Sequence, residues 1–110
     1  MKVPNAEQAI IEVAKVRDYL LSASHPVGRF KAAFFRALGY TPENYGELEA
    51  DLRRLVETAD AGSEEAAEYG QKYRVSGQLT GPGGVAATVV TVWIVLRGES
   101  QPRFVTAFPG

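Results

Sequence analysis

No cysteine occurs among the 110 residues, which excludes disulfides and thiolate metal sites. A single histidine, His25, argues against zinc bound within one chain, so neither a metal nor a cofactor is expected. No apolar run has the length that crosses a bilayer, and the opening Met1-Lys2-Val3-Pro4-Asn5-Ala6-Glu7 is polar where an export segment would be apolar. No membrane association is expected, and a reducing bacterial cytoplasm is the expected compartment. The net charge is −1, too small an imbalance for a general nucleic-acid binder.

That average conceals a segregation of charge. Residues 1–38 sum to +3, residues 39–70 to −7 and residues 71–110 to +3. If the two basic thirds pack together, they form a locally positive cleft in an acidic protein; otherwise the acidic middle is a solvated helix face. With 45% hydrophobic residues, the chain can bury one core and is too short for two, so residues 1–110 read as a single domain.

The first half has helical periodicity. Val16, Leu20 and Leu21 mark a helix from Ala14 to about Ser22, preceded by Ala9-Ile10-Ile11 as a candidate short strand. A second helix is predicted from Pro26 to Leu38 and is stopped by Gly39. Thr41-Pro42 opens a third, whose apolar face carries Tyr45, Leu48, Leu52, Leu55, Val56 and Ala59. Residues 60–70 are polar and small and read as a crossover loop. The period then shortens to two: strands are predicted over 73–79, 86–97 and 103–108, with Gly81-Pro82-Gly83-Gly84 as a turn. The expected fold is α+β, with three helices packed on one face of a small antiparallel sheet.

Chemistry concentrates around Ser24-His25-Pro26-Val27-Gly28-Arg29-Phe30-Lys31. Proline at the first helical position makes His25 the N-cap. At about 100° per residue from Val27, Phe30, Phe34, Ala37 and Leu38 lie between about 280° and 20° and Phe35 near about 80°, and Lys31 at about 40° falls inside that apolar stripe. Arg29 and Arg36 fall on the opposite side. An inward lysine near a lone imidazole fits an anion site or proton transfer; equally, its stem covers the core edge while the amine snorkels to water. In the long strand, Thr91 and Trp93 lie opposite Val90, Val92 and Ile94. If the aliphatic face meets the helices, Thr91 and Trp93 are on an open face, joined by either Thr106 or Arg103, which alternation puts on opposite sides. Tyr73 and Arg74 are candidate binding residues beside them. An aromatic with hydroxyl and cationic neighbours stacks bases and binds phosphate; the alternative is that both are ordinary strand formers and Trp93 is core.

Arg17-Asp18-Tyr19-Leu20-Leu21, His25-Pro26-Val27-Gly28 with Lys31-Ala32 and Phe35, Tyr69-Gly70, Tyr73, Leu79-Thr80-Gly81-Pro82, Thr91-Val92-Trp93-Ile94 and Pro102-Arg103 with Thr106 together resemble an uncharacterised bacterial family, a domain of unknown function. The layout of helices followed by sheet is also similar to the barnase/EndoU/colicin/RelE-like ribonuclease toxins. That similarity implies metal-independent RNA cleavage on the sheet, with His25 as acid or base. It implies further that Lys31 and Arg103 stabilise the phosphate and that Thr91 and Thr106 orient it. The sequence pI near 5.8 departs from the basic RelE-like toxins. With one histidine, a second proton-transfer group would be Lys31, a tyrosine such as Tyr73, or a carboxylate. Three readings follow: a toxin-like ribonuclease with RNA and a cognate small partner or immunity protein as partners, a non-catalytic interaction module from a two-gene pair, and a small-molecule binding domain with its pocket between the second helix and the sheet.

Overall fold

Helix gives way to strand at Ala61, earlier than the periodicity predicts. The computed structural model describes residues 1–26 and 29–110, with only the backbone of Phe30. Helix α1 (Val13–Lys15) runs on into a π-helical turn, Val16–Leu20. Helices α2 (Arg29–Ala37) and α3 (Tyr45–Thr58) follow. Strands β1 (Ala61–Ala67), β2 (Gly70–Thr80), β3 (Ala86–Leu96) and β4 (Pro102–Pro109) then form one antiparallel sheet in chain order. The fold is α+β as expected, three helices against one face of the sheet, with a strand more than the sequence predicts.

The extra strand, β1, replaces the expected crossover loop. Its sequence has no apolar alternation because all but its two end residues are exposed. What makes it a strand is pairing with β2 from Ala61↔Val75 to Ala67↔Gly70, a backbone cause that hydrophobic period does not register. Elsewhere the local rules hold. Thr41 accepts from the Asn44 backbone while the Asn44 side chain accepts from the Thr41 backbone, a reciprocal cap with Pro42 at the first turn. Gly39 ends α2 at φ +99°, and the Tyr40 and Gly39 N–H groups close back onto Phe35 and Arg36. Ile10, in the candidate short strand, makes a single parallel bridge to Arg103 at the β4 edge. Val27 and Gly28, through which the second helix is expected to run, lie outside the described residues.

The central strand presents the opposite face from the one expected. Val89, Thr91 and Trp93 are fully buried against the helices, with Val75 and Leu79 of β2 beside them. Val90, Val92 and Ile94 alternate with them and point to the opposite side, which no helix among the described residues covers. Burying the indole removes far more apolar area from water than burying a valine would. The only polar cost is met internally: Trp93 Nε1 donates to Thr91 Oγ1 at 2.8 Å, and Thr91 Oγ1 donates to the Val75 carbonyl at 2.8 Å. The stripe on α2 is likewise rotated from the expected arc, with Ala32, Phe35 and Leu38 buried and Ala37 exposed. Lys31 lies at its margin, half-buried where Arg29 and Arg36 are exposed.

Two glycines predict opposite outcomes for one substitution. A Cβ on Gly81, in the β2–β3 turn, would sit 1.8 Å from the Leu38 carbonyl oxygen at the end of α2. Gly81→Ala therefore has to push α2 off the turn, at a cost of about 1–3 kcal/mol. On Gly46, in the first turn of α3, a Cβ meets nothing within 4 Å, so Gly46→Ala should stabilise by up to about 1 kcal/mol through helix propensity. Thermal melts read both: Tm falls for the first and rises for the second.

Candidate functional site

The inward lysine finds its partners at the edge of the sheet. Lys31 Nζ donates to Tyr19 Oη at 2.9 Å and to Thr106 Oγ1 at 2.7 Å. Two local irregularities make that meeting possible. Tyr19 sits in the π-helical turn, where the Leu21 N–H reaches back to the Val16 carbonyl; such turns widen the helix and redirect its side chains. On β4 the register shifts between Val92↔Thr106 and Trp93↔Phe104, leaving Val105 as a bulge. The bulge cancels one step of alternation, so Arg103 (opposite Ile94) and Thr106 (opposite Val92) share the outer face. They were expected on opposite sides. Because β4 is an edge strand, Lys31 can reach Thr106 past its margin.

His25 completes the cluster. Its ring lies edge-on to Tyr19 at 5.0 Å between centroids, and Lys31 Nζ is 5.1 Å from the centroid of the same phenol. The His25 carbonyl accepts from the Arg29 N–H and its own N–H donates to Ser22 Oγ. A cavity of about 520 Å³ opens between α1, the His25 turn and β4, lined by Glu12, Lys15, Tyr19, His25, Val105 and Thr106. The bond from Lys31 holds the Tyr19 phenol below the ordinary tyrosine range, outweighing the opposing effect of partial burial; Thr106 and Lys15 act in the same direction as Lys31. The two basic thirds of the sequence do meet here, through the Lys31–Thr106 bond, and Glu12 also lines the cavity. Arg103 adjoins the cavity but is already engaged, by a two-pronged contact to Glu99 at 2.9 and 3.2 Å and by Glu12 at 3.7 Å.

His25, Lys31 and Thr106 are therefore brought together, with Arg103 next to them. Thr91, Trp93 and Tyr73 are not. All three lie on the helix-facing side of the sheet and are buried, so the expected phosphate-orienting role of Thr91, the stacking role of Trp93 and the binding role of Tyr73 are corrected to packing. Arg74 is exposed on the outer face, its guanidinium 5.6 Å from the Phe108 ring centroid. Tyr19 and the cavity-lining Lys15 and Glu12 escaped the sequence reading. A tyrosine on the lysine's side of a neighbouring helix was a findable signal; the π-turn that aims it was not. Among the described residues no three metal-ligating side chains converge, and no helix is long and apolar enough to cross a membrane.

A family model described as a domain of unknown function, DUF6883, matches residues 2–110. No curated protein matches the sequence significantly. Among solved structures, the chain is similar to one from a contact-dependent growth inhibition toxin–immunity protein complex of Klebsiella pneumoniae 342. The TM-score is 0.73 at 18% identity, covering 92% of this chain and 99% of that one. At that identity the likeness is one of fold.

Proposed function

We propose, from the premise that the chain belongs to the DUF6883 family, that it is a toxin-like domain that cleaves RNA without a metal ion. The observation that carries this reading is the Lys31 ammonium, fixed by Tyr19 and Thr106 beside the only imidazole in the chain. The similar fold in a toxin–immunity complex supports a role on one side of such a pair, and with it a cognate partner protein. An RNA strand carries its own nucleophile, so the site needs a base, an acid and a cation. His25 takes the proton from the 2′-hydroxyl as that oxygen bonds to phosphorus. Lys31 stabilises charge on the non-bridging oxygens. Tyr19, acidified by Lys31, gives its proton to the departing 5′-oxygen as the phosphorus–oxygen bond breaks. The products are a 2′,3′-cyclic phosphate and a free 5′-hydroxyl.

A second reading has support from the outward Val90, Val92 and Ile94. In a non-catalytic interaction module these would dock a partner protein. The deciding experiment incubates purified protein with single-stranded RNA in excess EDTA. We expect cleavage with cyclic phosphate ends. RNA left intact, together with expression that does not slow bacterial growth, would favour the interaction module.

A further inference from the structure

The outer face of the sheet holds a second cavity that the cleavage step does not use. It measures about 290 Å³ and lies over Val92, between Lys72 and Arg74 of β2 and Val105, Thr106 and Phe108 of β4. Val105 and Thr106 line both this cavity and the one at His25, so the bulge of β4 is the shared wall of two adjoining depressions. The register puts Thr106 opposite Val92 and Val92 opposite Arg74. Thr106 and Arg74 are thus two strand spacings apart, about 10 Å, the reach of a single nucleotide from the Lys31 ammonium that Thr106 holds.

The chemistry of the wall is specific. Phe108 offers a ring face with the Arg74 guanidinium over it. Among the described residues, neither Arg74 nor Lys72 is within ion-pair distance of a carboxylate. Glu65, opposite Lys72 on the outer face, closes the β1 end, so an anion is admitted on the Arg74–Thr106 side and repelled from the other.

Resting on the cleavage reading, we infer that this outer-face cavity is the subsite for the nucleotide next to the scissile phosphate of an RNA strand. Its base stacks on the Phe108 ring in place of the Arg74 guanidinium, and its phosphate meets Arg74 and Lys72. A protein partner covering the same face is the competing occupant. It is less favoured because the cavity adjoins the His25 site across the β4 bulge and its two cations, with no carboxylate partner among the described residues, stand beside an aromatic ring, the pairing that single-stranded nucleic acid uses.

The test separates binding from cleavage. The probe is a short single-stranded oligonucleotide with 2′-O-methyl groups, which cannot supply the nucleophile. Titrated into the full chain, it should shift backbone amide resonances of β2, β3 and β4 around Arg74, Val92 and Phe108. Phe108→Leu and Arg74→Gln should each weaken binding about tenfold, as loss of one stacking or one phosphate contact does. In cleavage assays the same variants should raise KM and leave kcat close to that of the unaltered chain. Binding through these residues without cleavage of unmodified RNA would keep the subsite and overturn the catalytic reading. Cleavage that ignores both substitutions would overturn the subsite alone. No binding of the probe by folded protein would overturn it as well and point to a protein on this face.

Discussion

His25→Ala is expected to lower RNA cleavage by about 10²–10⁴-fold while the domain stays folded, because a positioned acid or base contributes about that much and the ring is only half-buried. The structural part of the change should be small. Among its interactions, alanine retains the backbone bonds to the Arg29 N–H and Ser22 Oγ and loses the edge contact to Tyr19. An aromatic pair is worth about 0.5–1.5 kcal/mol, a shift of several degrees in Tm and no bar to assaying the variant at 25 °C. Lys31→Met keeps the stem that covers the core margin and removes the charge; it should cost about 10²–10³-fold, as loss of one transition-state donor does. The alkaline side of the pH–rate profile supplies a third readout. Tyr19 must be protonated to act as the acid, and its phenol lies below the ordinary tyrosine range because Lys31 is bonded to it. The rate should therefore fall as pH rises through that lowered value, and Tyr19→Phe should abolish this limb along with most of the rate. Full activity in both His25→Ala and Lys31→Met would remove the catalytic reading.

Which parts of this arrangement the sequence revealed depends on whether their cause is local. The caps at Thr41 and Gly39, the third helix and the long strand are dictated by residues adjacent in the chain. The inward lysine was legible because helical spacing alone puts it within the expected apolar stripe; the structure sets it at the margin of the buried one. The sheet edge was not. Alternation assigns Arg103 and Thr106 to opposite faces, and the bulge at Val105 that reunites them is a pairing event between two strands, invisible in either. The two faces of β3 were ambiguous for a different reason. Both Val90-Val92-Ile94 and Val89-Thr91-Trp93-Val95 are apolar enough to be buried, so the choice falls to the residue with the largest area to hide and to whether its polar atom can be satisfied. A hidden Trp93 needs an acceptor, and Thr91 two positions away on the same face provides one. As a hydrogen-bonded pair they mark the inner face; grouped with Thr106 or Arg103 as polar neighbours, they suggest a binding surface.

That pair makes the largest stability prediction. Trp93→Ala should cost about 3–5 kcal/mol, the range for emptying a buried aromatic site, which for a domain with a typical total of about 5–15 kcal/mol removes much of its stability. Thr91→Val keeps the volume but strands the indole N–H in the core and should cost about 1–3 kcal/mol. In the Trp93→Phe background that N–H is gone, so Thr91→Val should cost measurably less there than in the unaltered chain. A double-mutant cycle in urea, read at constant m-value, would give the coupling directly. All of these variants should retain cleavage in proportion to the folded fraction, because Thr91 and Trp93 line neither of the two depressions astride β4. If Trp93→Phe were as stable as the unaltered chain yet inactive, the indole would have to reach substrate, and the assignment of this face of the sheet to the core would fail.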